Sequence, residues 1–205
     1  MKLSSAFIKL PVRFDAARLA EEVAQFTDRD WSDHPTGFKG NAAVRLISAN
    51  GGENDDMGGA MRATPQLEKC PYIKQVLTSF NVVFGRSRLM GLGPGCEVPV
   101  HSDTNYHWHD RVRIHIPVVT LPQVSFHCGD RQVHMASGEA WIFDNWRMHK
   151  VINPTDKLRI HLVADTAGSA DFWRFVRRGI DPFSTAAAEK QYCKRSAAGS
   201  LSTWF

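Results

Sequence analysis

RVRIHIPVVT, residues 111–120, alternates residue by residue: Val112, Ile114 and Ile116 share one side of an extended chain, Arg113 and His115 the other. That period predicts a β-strand with one apolar face and an opposite face carrying a guanidinium and an imidazole. KLRIHLVAD, residues 157–165, repeats the scheme, with Leu158, Ile160 and Leu162 set against Arg159, His161 and Val163. Around these two runs lie RLMGL, EVPVH, QVSFHC, RQVHM and EAWIF, rich in β-branched and aromatic residues and parted by GPG, CGD, ASGE and NPTD. Seven short strands within about eighty residues, with no helical pattern between them, predict a mainly β chain folded as an antiparallel sandwich or jelly-roll barrel.

Outside residues 86–166 the pattern changes. DAARLAEEVAQF, residues 15–26, places Leu19, Val23 and Phe26 at helical spacing behind an aspartate suited to cap them. Thr64-Pro65 opens a second helical segment running to about Phe80, with proline in the favourable first turn. These two helices are expected to cover one sheet. Residues 33–61 are turn formers around AAVRLIS, read as one strand between loops. ADFWRFVRR predicts a short C-terminal helix, and residues 184–205 read as a loosely held tail. The expectation is one domain over residues 1–205, with residues 1–85 as helical cover and loops.

The 205 residues are 43% hydrophobic and 22% charged, a globular composition, and the net charge of +4 comes from scattered Lys and Arg. No basic run resembles a nucleic-acid arm, and no apolar run is long enough to span a membrane. The opening MKLSSAFIKLPVRF lacks the apolar core of a signal peptide. Cys70, Cys96, Cys128 and Cys193 are widely spaced without a CxxC, as expected of reduced thiols in a cytoplasmic protein.

Immediately before the first alternating strand stands HSDTNYHWHD, residues 101–110. On an extended chain His101 and Asp103 project to the same side and can share one ion. The strongest third ligand is His149, which follows WIFDNWRM and begins a new strand. Two histidines and one carboxylate, with open positions left over, is the ligand set of non-haem Fe(II), and the lack of thiolates argues against structural zinc. An HxD pair alone is a weak signal in a chain with nine histidines. Arg159, ten residues after His149, strengthens it. A guanidinium turned into a barrel requires an anion, and the carboxylate of an anionic cosubstrate suits its fork. The less favoured alternatives are an exposed strand arginine and a structural ion pair, for instance with Asp165. His107, His109, His127 and His134 read as surface or loop residues, and His161 as a pocket wall that does not touch metal. Cys96 reads as a structural thiol, and Trp141 and Phe143 as core.

HSD, RIHIPVVT, GEAWIFDNWRMHKVIN and LRIHLVAD, in this order and spacing, resemble the aspartyl/asparaginyl β-hydroxylase family of Fe(II)/2-oxoglutarate dioxygenases. The likeness spans about residues 86–166 and implies a double-stranded β-helix with His101, Asp103 and His149 on iron. It also implies that Arg159 holds the distal carboxylate of 2-oxoglutarate, with Arg113 and His115 at its other end. The cofactors implied are Fe(II), 2-oxoglutarate and O2. The activity implied is hydroxylation of an unactivated C–H bond, with release of succinate and CO2. Some members have no carboxylate where Asp103 stands; the Asp here resembles the bacterial branch, which includes hydroxylases of free amino acids. Some also have a serine touching 2-oxoglutarate where Met90 falls. A free amino acid or a small derivative is therefore the expected substrate. The alternatives are an Asp, Asn or other residue of a peptide or protein, and a non-catalytic, cupin-like binding protein.

Overall fold

The computed structural model describes residues 2–184. In chain order it contains β1 (Phe7–Arg13), α1 (Ala16–Ala24), β2 (Ser32–Asp33), β3 (Asn41–Ala49), β4 (Met61–Ala63), α2 (Pro65–Glu68) and α3 (Pro71–Thr78). These are followed by β5 (Ser87–Leu92), β6 (Cys96–His101), β7 (Val112–Val119), β8 (Ser125–Cys128), β9 (Arg131–Val133), β10 (Glu139–Phe143), β11 (His149–Asn153), β12 (Arg159–Thr166) and α4 (Ala170–Val176). Two antiparallel sheets result. The larger runs β1-β10-β7-β12-β5-β3-β2, with β4 also on β3, and the smaller runs β6-β11-β8-β9. This is the expected jelly roll. The expectation for the tail, and Cys193, lie outside the described residues.

The large sheet sorts its residues by parity. Val112, Ile114, Ile116 and Val118 of β7 and Ile160, Leu162 and Ala164 of β12 join Leu19, Val23, Ile73, Val76 and Leu77 of the helices in one core. The other face meets the small sheet, where Phe7, Trp141 and Phe143 pack with Phe126, Cys128 and Val151. The helices therefore cover one sheet from outside, as their spacing predicts, and the inter-sheet space is left for the polar half of each strand.

Three local details differ from expectation. The segment from Thr64 to Phe80 forms two helices, because Pro71 drives the preceding Cys70 to φ −118°, ψ 72°, away from helical values. Glu22 of α1 then accepts the free amide N–H groups of Tyr72 and Ile73 at 2.6 and 2.8 Å. β1, unforeseen because Pro11 interrupts FIKLPVR, is the edge strand beside β10 and meets only a single bridge, Lys9 to Ile180, on its other side, so the missing N–H of Pro11 is tolerated. Last, β1 to β4 give four of the large sheet's eight strands, so the barrel draws well beyond residues 86–166 and the first 85 residues are more than cover. Asp15 caps α1 as expected, accepting from the N–H groups of Ala17 and Arg18.

Among the described residues no helix is long and apolar enough to cross a membrane. Leu162 is fully buried in the outer core and carries no polar function. Leu162→Ala should therefore lower unfolding stability by about 2–5 kcal/mol, read as a lower denaturant midpoint at unchanged slope.

Candidate metal centre and its cavity

β6 and β11 are antiparallel neighbours whose register sets His101 opposite His149, with ring centroids 4.2 Å apart. Asp103 lies in the loop beyond β6, not in the strand as the i, i+2 argument assumed. Its backbone N–H donates to the carbonyl of Asn145 at 2.9 Å, tying that loop to the approach of β11. One ligand atom from each of His101, Asp103 and His149 falls within 4.8 Å of the others. The Nδ1 atoms of His101 and His149 each lie 2.8 Å from a backbone carbonyl, that of Pro99 and that of Arg147. A carbonyl only accepts, so each Nδ1 carries the proton and each Nε2 keeps its lone pair for a metal. Burial pushes the His149 pKa down to about 4, against the opposing pull of the Arg147 carbonyl, so the ring is neutral at physiological pH. Two imidazoles oriented by backbone acceptors, with a carboxylate beside them, fit a divalent transition metal.

The triad faces a cavity of about 440 Å³. Arg159 and His115 line it from the large sheet, with Met90 and Val163 beside them. Arg159 is only 5% exposed. Its Nη2 donates to Nδ1 of His161 at 2.7 Å, and its Nε has no partner. Burial alone drives its pKa down to about 9. The imidazole must accept here, which places the His161 proton on Nε2. Both ring nitrogens of buried His115 lack partners. Asp165, the alternative partner weighed for Arg159, is bound instead to Arg113, whose Nε and Nη2 donate to its two oxygens at 2.7 and 3.0 Å. Arg113 therefore has two of its donors engaged within the protein. Its guanidinium also lies over the ring of Trp108, at 4.6 Å.

Sequence reading overlooked a second group of cavity residues: His34, Asp55, Arg86 and Arg88. Arg86 and Arg88 carry a readable signal, since R-S-R continues the alternation of RLMGL by one step; Asp55 sits in a loop with none. His107, read as a surface or loop residue, is 2% exposed, with Nε2 3.6 Å from Asp165. His109 is exposed, and His127 and His134 are half-buried against Ser125 and the carbonyl of Val124.

Asp165 is fully buried, and the guanidinium of Arg113, with help from His107 and Arg86, overcomes burial to hold its carboxyl well below the usual carboxylate range. A carboxylate so depressed contributes its full stability above the unfolded pKa of about 3.9 and loses it as pH falls from there toward the folded value. Asp165→Asn should cost about 3–5 kcal/mol at neutral pH by stranding Arg113, and should flatten the acid limb of the stability profile below about pH 4. Chemical denaturation across pH tests both.

Comparison with known proteins accords with this geometry. The family model described as aspartyl/asparaginyl beta-hydroxylase matches residues 20–168, a span that contains every residue of the triad and cavity named above. An L-proline cis-4-hydroxylase of Rhizobium meliloti (strain 1021) is 29% identical over 185 residues, covering 85% of this chain and 65% of that protein. An L-proline cis-3-hydroxylase 1 of a Streptomyces species is 24% identical over 180 residues, covering 78% and 60%. The chain thus spans less than two thirds of the length of these curated relatives. A solved oxidoreductase of the 2OG-Fe(II) oxygenase family from Burkholderia pseudomallei shares the fold, with a TM-score of 0.57 at 15% identity over 80% of this chain and 88% of that one. With most of its length and its whole metal-facing cavity inside the matched region, the chain belongs to the aspartyl/asparaginyl β-hydroxylase family.

Proposed function

We propose that this chain is an Fe(II)- and 2-oxoglutarate-dependent dioxygenase. It hydroxylates an unactivated C–H bond of a free amino acid or a small amino-acid derivative. The observation that carries this reading is a buried Arg159 with no carboxylate partner among the described residues, in the same cavity as the His101, Asp103 and His149 triad. A protein that only bound metal would have no reason to bury that guanidinium, since an unpaired internal charge is strongly destabilising. A dicarboxylate cosubstrate supplies the missing anion. The two proline hydroxylases among its relatives favour a free amino acid, and the cavity volume suits a small molecule beside 2-oxoglutarate.

His101, Asp103 and His149 would hold Fe(II). Arg159, its fork aligned by His161, would grip the distal carboxylate of 2-oxoglutarate. His115 would offer a ring nitrogen to the same molecule, and Arg113, fixed by Asp165, would add positive potential toward its oxo-acid end. The bound metal and cosubstrate together supply the oxidising power that places one oxygen atom of O2 on carbon, with succinate and CO2 released. The protein's share is to fix both carboxylates, orient the imidazoles and shield the reacting carbon from water.

Incubation with Fe(II), 2-oxoglutarate and a panel of amino acids should give O2-dependent succinate and a product heavier by one oxygen atom. His149→Ala should reduce that succinate by more than the roughly 10–100-fold expected when only an outer partner of a ligand is lost. Near-normal turnover would remove His149 from the metal. Arg159→Lys keeps charge and loses the fork, so KM for 2-oxoglutarate should rise about tenfold while Fe(II) affinity, measured by titration, stays put. An unaltered KM would place the cosubstrate elsewhere.

A further inference from the structure

The residues that line the metal-facing cavity are buried or half-buried except Pro35, Thr36 and Asn105, which are exposed. Its mouth is therefore bounded by the turn between β2 and β3 and by the loop that carries Asp103. The turn is a compact unit. The backbone N–H of His34 donates to the carbonyl of Asn41 at 2.9 Å, that of Gly37 to His34 at 2.9 Å and that of Asn41 to Phe38 at 3.0 Å. Nδ1 of His34 accepts from the N–H of Thr36 and pairs with its hydroxyl. The base of the turn rests on the bend into β6, where Gly93 donates to the carbonyl of Gly40 at 2.8 Å. A Cβ on Gly40 would lie 2.7 Å from Sγ of Cys96, so only glycine fits there.

Phe38 is the residue this turn sends inward. It lines the cavity half-buried between exposed Gly37 and Lys39, with its ring centroid 6.2 Å from that of His101. Met57 reaches the same cavity from the loop between β3 and β4. Two residues earlier Asp55 pins that loop to Arg45 and Arg88, and its carbonyl accepts from Arg86 at 2.9 Å. Arg45 also donates to the hydroxyl of Ser32 on β2 and to the carbonyl of Asn54, each at 3.1 Å, so one guanidinium ties both loops to the barrel. A rim fastened in this way is a fixed aperture.

Size and polarity at that aperture bear on what can react beneath it. The cavity of about 440 Å³ lies toward the small end of ligand pockets, and it has a cosubstrate to hold as well. A residue within a peptide continues in both directions, so its chain crosses the rim twice, whereas a free amino acid lies wholly inside. The side chains of Phe38 and Met57 offer no hydrogen bond to peptide groups that lose water on the way in.

We infer that Phe38, supported by Met57, is a specificity-determining residue: it narrows the mouth so that a free amino acid is accepted and the same residue inside a peptide is refused. The inference rests on the hydroxylase reading, and metal access tests it apart from turnover. Succinate release is measured for the free L-amino acid that turns over fastest and for the same residue flanked by glycine on both sides. The free form should lead in kcat/KM by about 100-fold or more. Phe38→Ala should shrink that lead about tenfold by raising the tripeptide's kcat/KM, with KM for 2-oxoglutarate and the thermal midpoint reporting an intact fold. Phe38→Leu should keep most of the lead.

A tripeptide turned over as well as the free form by the unaltered protein would overturn the inference and leave a hydroxylase. So would a lead that Phe38→Ala does not move, or moves only by disabling the free form. On Co(II)-loaded protein, azide should bind equally well before and after Phe38→Ala, while removal of the ion by the bulkier 4-(2-pyridylazo)resorcinol should become about tenfold faster. Equal removal rates would also overturn the inference. If no compound yields succinate, the hydroxylase reading fails, and the two removal rates alone decide whether Phe38 guards the mouth.

Discussion

The pairing of β6 with β11 is the constraint on which the site depends. It sets His101 across from His149, and a slip of one residue would turn one imidazole to the opposite face of the small sheet. The same pair is extended by β8, where Cys128 stands opposite His149 and Phe126 opposite Val151. Phe126 and Val151 belong to the apolar packing between the sheets, so hydrophobic burial fixes the register that brings the two imidazoles together. The three side chains stabilise the fold little by themselves, since two imidazoles and a carboxylate this close gain little from one another. Their geometry is imposed from outside, by a neighbouring strand and by backbone carbonyls.

The large sheet divides its labour in a different way. Its outer stripe is a continuous apolar surface against the helices, each fully buried Leu or Ile contributing about 1.5–3 kcal/mol. Its inner stripe holds Arg88, Arg113, His115, Arg159, His161 and Asp165, groups whose burial opposes folding. The arrangement is stable because the two stripes belong to the same strands: a strand cannot bury Ile160 and Leu162 outward without turning Arg159 and His161 inward. Helix packing on one face therefore offsets the cost of a charged interior on the other.

That coupling also explains what could be read in the residues. The period of two in RVRIHIPVVT and KLRIHLVAD is a local property, so the inward-facing Arg113, His115, Arg159 and His161 could be named without coordinates. Which of them pair is a property of strand register and could not. Asp165 stands directly opposite Arg113, while Arg159 stands opposite Leu92 and His161 opposite Met90. The one acid of the stripe therefore goes to Arg113, and Arg159 has only an imidazole. His107 was misjudged because nothing in TNYHWHD shows that the turn at 106–108 folds inward onto Asp165. Asp55 was invisible because loops have no period, and Pro11 hid an edge strand behind a residue usually excluded from sheets.

The two groups of arginines differ in kind, and the difference follows from where each strand is crossed. At the far end of β12 the neighbours of Arg159 are apolar or neutral, so among the described residues no acid balances its charge. At the near end the large sheet presents a charged row: Arg113 faces Asp165 across β7 and β12, Val163 beside it faces Arg88, and Arg88 faces Arg45 across β5 and β3. An isolated cation favours a single fork-shaped contact with a carboxylate. A row held together by its own acids keeps its shape when empty and presents a diffuse positive potential. His101, Asp103 and His149 line the same cavity from the opposite sheet, so both groups of arginines face the candidate metal centre.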